Sequence, residues 1–323
     1  MHTNFLLLIP LKTSLHRVLT FLIAHNTLVM FGLLLGLSAL VSDVFFSPTN
    51  LANLFRQVSG VGLISMGMLL VILVGGIDLS VGSVMSLGGV LLAVLTHRMP
   101  LGAALLLTIG CGIGLGLTAG LLTTIGKLAP FIATLALMTI ARGASFMISD
   151  GSPVPLNSAA TPLLAFGDGY LLGIPLPVFF FLLIAGLVFV LLRYTILGRI
   201  LTAIGSNEEA VRLSGISVNR YYWLVYGFSG AMAAMAGIIT VARTGIGSPV
   251  VGIGLELDAI AAVVVGGASL KGGRGSAINT FLGVIILGMI GNIMNLRDVP
   301  AYPQQIIKGV IIILAVLLQR FQK

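Results

Sequence analysis

The chain has 323 residues and a net charge of +8; 58% of its residues are hydrophobic and only 8% are charged. A soluble domain carries about 25% charged residues, so a water-soluble enzyme is excluded: no single interior absorbs this much apolar surface. Nucleic-acid binding is excluded as well, because no basic patch is interleaved with aromatic residues.

Residues 5–10, FLLLIP, are too short for a signal-peptide core. No basic residue precedes them and no small-residue cleavage site follows, so the first long run reads as an uncleaved anchor. A helix needs about 20 apolar residues to cross the ~30 Å hydrocarbon layer. Apolar runs of that order occupy residues 20–41, 57–76, 79–96, 101–125, 129–148, 174–192, 221–242, 257–268, 276–296 and 302–318. The expected fold class is all-α, a polytopic transmembrane helical bundle of about ten spans, with residues 1–323 as one transmembrane domain. Residues 257–268 are the weak member. Gly266 and Gly267 break the run from Asp258, so this segment begins before Glu256, bends, or crosses only in part.

With both termini cytoplasmic, Lys12, Arg17, Lys127, Arg193, Arg199, Arg212, Arg220, Lys271, Arg274, Arg320 and Lys323 fall on the inner side. These are eleven of the seventeen bases, which matches the positive-inside bias. The net charge therefore reads as topology.

At residues 74–84, VGGIDLSVGSV, Asp78 follows a glycine pair where the chain turns between two spans, and Ser80 and Ser83 are placed to cap the next helix. Asp78 is either an interfacial cap or part of the inner mouth of a path or gate. Residues 110–120, GCGIGLGLTAG, repeat a small residue every few positions, and close helix packing explains them. Cys111 lies in this run, and one cysteine makes no internal disulfide. With it and only His2, His16, His25 and His97, no metal-spacing motif forms, so no metal site is expected.

The longest outer segment is residues 149–173. Pro153, Pro155 and Pro162 rule out a continuous helix there, and Leu156, Leu163, Leu164 and Phe166 suit either a connector or a docking surface. The longest inner segment, residues 193–220, contains SNEEAVRLSG, a polar island in an apolar chain. Ser206 reads as an N-cap with Glu209 completing a capping box, and Gly215 reads as the stop of a helix of about eight residues. The island is either a solvated turn or a helix seated in a socket on another protein, with Ala210, Val211 and Leu213 as its apolar contacts.

Residues 265–273, VGGASLKGG, partly echo the earlier glycine-pair motif. Beyond them Asn279, Asn292 and Asn295 offer hydrogen bonds in or beside spans, and Lys308 is expected to snorkel to the outer face. This lining suits a neutral polyhydroxylated cargo better than an ion. There is no nucleotide site, since the one Gly-Lys pair, Gly126-Lys127, is followed by Leu128 where a phosphate-binding loop needs Ser or Thr. No catalytic residues are expected, and the energy must come from another chain or an ion gradient.

Six segments in this order resemble the permease subunits of ATP-driven sugar importers, and more closely their ribose-type members. They are GMLLVILVGGIDLSVGS (67–83), APFIATLALMTIARG (129–143), DGSPVP (150–155), LGRILTAIGSNEEAVRLSGISVNR (197–220), GLELDAIAAVVVGGASLKGGRGS (254–276) and YPQQIIKGVIIILAVLL (302–318). The resemblance implies that residues 193–220 form a cytoplasmic coupling loop docking on an ATP-binding subunit, through Gly205, Asn207, Glu208, Glu209, Ala210, Arg212, Leu213 and Gly215. It implies a multi-pass protein of the bacterial inner membrane in which residues 149–173 are a periplasmic loop. A second permease chain, as a homodimer, encloses the path, and a periplasmic sugar-binding protein delivers a monosaccharide. This chain then carries no cofactor, and ATP and Mg belong to the partner. Gly76, Asp78, Ser80, Ser83, Asn279 and Asn292 are the expected path or gate residues. Ribose is the expected cargo; xylose, galactose, furanose sugars or a sugar-like signalling molecule also fit. An ion-coupled secondary transporter and a nontransporting scaffold are the competing readings, the first requiring an ion site within the membrane.

Overall fold

The computed structural model describes residues 26–320. Lys12, Arg17, Lys323 and residues 20–25 of the first expected span lie outside them. Thirteen α-helices are described: α1 (Asn26–Val41), α2 (Pro48–Leu73), α3 (Val81–Thr96), α4 (Leu101–Thr124), α5 (Pro130–Ile148), α6 (Thr161–Asp168), α7 (Leu176–Tyr194), α8 (Ile196–Ser206), α9 (Glu208–Leu213), α10 (Val218–Thr244), α11 (Leu255–Val265), α12 (Ala277–Leu296) and α13 (Ala301–Arg320). Two antiparallel ladders of two-residue strands join loops at one end, β1 (Val154–Pro155) to β4 (Ile246–Gly247) and β2 (Tyr170–Leu171) to β3 (Ile174–Pro175). The protein is an all-α polytopic bundle. Among the described residues α2, α4, α5, α7, α10 and α12 are long and apolar enough to cross a membrane.

Local chemistry sets the helix ends. Pro48, Pro130 and Pro177 sit in first turns, where the missing N–H costs nothing. Ser47 accepts from Asn50 N at 3.3 Å as the cap of α2, and Gly245 closes α10 in the left-handed conformation at φ 72°.

Two helices, α2 and α10, form the buried centre. On α4 one face is glycine: side chains at Gly112, Gly116 and Gly120 would run into Gly230, Tyr226 and Trp223 of α10. Gly110 and Gly114, on the other faces, have nothing within 4 Å of a Cβ position. The small-residue run is thus a packing seam that brings two backbones together. Gly116→Leu must lift α4 off α10 and is expected to destabilise the bundle by about 3 kcal/mol. Gly114→Leu should leave the thermal midpoint of the purified protein unchanged, and equal midpoints for the two variants would contradict the seam.

Two of the expected spans are short as helices, one of them the weak member at residues 257–268. α3 has 16 residues and α11 has 11; at 1.5 Å per residue they reach about 24 Å and 16 Å, short of a full crossing. Each is preceded by non-helical chain, residues 74–80 before α3 and 245–254 before α11. Their starts meet inside the bundle, where a side chain on Gly82 would collide with Gly252 O and come within 2.6 Å of Glu256 Oε2.

Irregular backbone inside a membrane protein needs partners for its carbonyls. Thr134 Oγ1 donates to Ile77 O at 3.2 Å, and Tyr222 Oη donates to Val74 O at 3.0 Å. On the second break Arg142 Nη1 donates to both Pro249 O and Val251 O at 2.7 Å, and Ser86 Oγ lies 3.0 Å from Pro249 O. Side chains of α3, α5 and α10 thus replace the missing helical hydrogen bonds.

Candidate functional site

At one pole of the bundle α8, α9, the glycine-pair turn and residues 269–275 converge. α9 is a six-residue helix capped by Asn207, whose Oδ1 accepts from Ala210 N at 3.0 Å. Ser206 instead ends α8 and donates to Thr202 O at 2.9 Å, so the cap lies one residue later than expected. Asn and Ser cap equally well, and the continuing α8 decides between them. Gly215 at φ 80° follows the helix as the expected stop.

Val211 is buried against the bundle, while Ala210 is exposed and Leu213 is 82% exposed. Glu208 pairs with Arg212 at 2.5 Å, and its other oxygen accepts from Tyr222 Oη at 3.1 Å. That hydroxyl has one proton for two acceptors, Glu208 and the carbonyl of Val74. α9 is therefore tied through one phenol to the chain leading to Asp78. A second tie is steric: Gly205 has no room for a side chain because Leu73 O and the Gly272–Gly273 backbone fill that space, and Gly273 N donates to Leu73 O at 2.9 Å.

Asp78 is 1% exposed. Its Oδ1 accepts from Ser80 N at 3.0 Å and Ser80 Oγ at 2.6 Å, and its Oδ2 accepts from Ser229 Oγ of α10 at 2.7 Å. Ser80 precedes α3 but makes no side-chain cap, since its hydroxyl is turned to Asp78. A side chain on Gly76 would come within 2.6 Å of Tyr226 Oη. Gly76, Asp78, Ser80 and Ser83 thus lie in or beside one buried turn. Asn279 stands apart on the exposed start of α12, and Asn292 forms a reciprocal amide pair with Asn50 at 2.9 and 3.0 Å.

Sequence reasoning passed over Tyr222, Tyr226 and Ser229. Their spacing of four and then three puts three hydroxyls on one face of an apolar helix, and that is the signal that was available.

Toward the opposite pole a cavity of about 260 Å³ opens between α2, α10, α11, α12 and α13. Lys308 lines it and pairs with Asp258 at 2.8 Å instead of snorkelling. Gln57, Thr240, Arg243, Asn295 and Gln304 are its other polar residues, and Met85 of α3, Ile239, Leu255 and Val284 are among the apolar ones. The loop at residues 149–173 folds over the same pole, with the Arg56 guanidinium 4.6 Å above the Tyr170 ring and Leu172 93% exposed at a hairpin tip.

The family described as branched-chain amino acid transport system / permease component matches residues 50–316. The chain belongs to this permease family. It is 38% identical over 313 residues to the ribose import permease protein of Haemophilus influenzae, covering 96% of this chain and 97% of the relative. Against the ribose import permease protein of Bacillus subtilis it is 44% identical over 296 residues, with 90% and 92% covered. Against the D-allose transport system permease protein of Escherichia coli it is 36% identical over 303 residues, with 93% and 90% covered. No solved structure matches. The permease is a multi-pass protein of the bacterial inner membrane and a component of an ATP-binding-cassette importer.

Proposed function

We propose that this permease carries a monosaccharide, ribose or a related sugar, into the cytoplasm, driven by a separate ATPase subunit. The observation that carries the reading is the near full-length similarity to ribose import permeases. The family description mentions branched-chain amino acids, but the similarity to named sugar permeases weighs more than that broad description.

On this reading both termini are cytoplasmic and the chain crosses ten times, with α3 and α11 each completing a crossing together with the irregular chain before it. Residues 193–220 are the cytoplasmic coupling loop. Leu213 and Ala210 of α9 seat on the ATPase, and Glu208, Glu209 and Arg212 ring the contact. Gly205, Asn207 and Gly215 hold its shape. Residues 149–173 face the periplasm and receive a sugar-binding protein. A second copy of the permease completes the path. Gly76, Asp78, Ser80 and Ser83, with Asn279 and Asn292, form path or gate architecture, in which Asn292 is held by its amide pair with Asn50. ATP and Mg are bound by the ATPase and nothing catalytic resides here.

The permease reconstituted into vesicles with its ATPase and binding-protein partners should accumulate labelled D-ribose when ATP is supplied, and not when a proton or sodium gradient is supplied without ATP. Gradient-driven accumulation without the ATPase would overturn the reading.

A further inference from the structure

The cavity between α2, α10, α11, α12 and α13 has a composition that the family match does not explain. A second hollow of about 400 Å³, between Leu101, Leu105, Leu163, Phe166 and Phe180, is apolar on all sides and offers a hydroxylated molecule nothing. The first one differs. Asp258 and Lys308 neutralise each other across it at 2.8 Å and keep unused capacity: Asp258 Oδ1 has no hydrogen-bond partner among the described residues, and Lys308 has two further N–H groups. Gln304 uses its amide nitrogen on Asn295 Oδ1 and Val299 O, both at 2.8 Å, which leaves its carbonyl oxygen and the Asn295 nitrogen free. Gln57 makes no hydrogen bond to the described residues.

That leaves donors and acceptors interspersed in the lining with the apolar side chains of Met85, Ile239, Leu255 and Val284. The ion pair adds no net charge, and the one further cation of the lining, Arg243, already donates to Arg56 O at 3.1 Å. An apolar ligand would leave the amides and the pair unmet. A hydroxyl both donates and accepts, and a sugar ring has C–H faces suited to an apolar floor.

Glycine creates the room. Gly291 lines the cavity with nothing within 4 Å of its Cβ position, and Gly60 lines it with only Thr240 Oγ1 at 4.0 Å. The floor lies beside the start of α11, where helix and irregular chain meet.

We propose that this cavity is a station for a neutral monosaccharide within each permease chain, between delivery and release, with Asp258, Lys308, Gln57, Asn295 and Gln304 hydrogen-bonding its hydroxyls. It rests on the sugar-importer reading and adds the place where the cargo is held.

The test uses the assembled importer in vesicles, carrying Cys111→Ala and Gly291→Cys, with Gly60→Cys as a second variant. The unmodified protein must first take up D-ribose with ATP; no uptake by the wild-type assembly would remove the importer reading and this proposal together. A small neutral methanethiosulfonate, added outside until mass spectrometry shows complete modification, then fills the cavity of an already folded protein. Uptake is expected to fall about tenfold while ATP hydrolysis stimulated by the loaded binding protein persists, a loss equivalent to about 1.4 kcal/mol in the transport step. Millimolar D-ribose is expected to slow the modification severalfold in the permease alone, and L-leucine is not. Unchanged uptake after complete modification of both variants would overturn the proposal. Equal protection by leucine and ribose would overturn its ligand class.

Discussion

Leu213→Asp is expected to abolish ATP-driven uptake while leaving the permease folded and in the membrane. Leu213 is 82% exposed, so the change costs little within the chain itself; surface substitutions of this kind fall within about 0.5 kcal/mol. At a socket on the ATPase the arithmetic differs. Losing burial of a leucine removes about 1.5–3 kcal/mol, and an unpaired polar group pressed into the same place costs a further ~1–3 kcal/mol. Together these weaken docking by about a hundredfold or more. The exposed Glu208–Arg212 pair contributes about 0.3–0.5 kcal/mol, so Arg212→Ala should cost far less. Uptake by vesicles containing equal amounts of each permease decides the matter, and a Leu213→Asp variant that imports at the normal rate would remove α9 as the contact.

The second large effect concerns stability. Asp78→Ala leaves Ser80 N–H and the Ser229 and Ser80 hydroxyls inside the bundle without their acceptor. At about 1–3 kcal/mol for each orphaned group, two unmet donors alone cost about 2–6 kcal/mol, enough to lower the thermal midpoint of the purified permease by many degrees. Asp78→Asn keeps one acceptor oxygen for Ser80, and the Ser229 hydroxyl can turn to accept from the new amide, so its midpoint should fall much less. ATP-driven uptake by Asp78→Asn should also persist. A stable Asp78→Asn protein that fails to import would mean that the carboxylate carries an ion.

The polar helix α9 was legible because charge is rare here: two glutamates and an arginine within five residues stand out in an apolar chain. The structure moved its cap by one residue, since α8 runs through Ser206, which sequence alone had no means to weigh against Asn207. The glycine seam of α4 was legible for a similar reason, its four-residue spacing. Hydropathy could not show the interrupted crossings. Residues 248–254, SPVVGIG, are as apolar as a helix, and their glycines and proline were the only sign that the chain stops being helical there. The pairing of Asp258 with Lys308 was hidden by the fifty residues between them, and a lone lysine near a helix end reads as a surface group.

The meeting of α3 and α11 at Gly82 and Gly252 also bears on how force travels. A continuous rod displaced at one face of the membrane also shifts at the other, so its two ends move together. On the proposed ten-crossing topology, a crossing made of a helix and irregular chain has a break at which its two parts can shift separately, and the breaks before α3 and α11 meet at Gly82 and Gly252. On the importer reading, such a break would let one end of a crossing move while the other stays packed, so that both entrances need not open together.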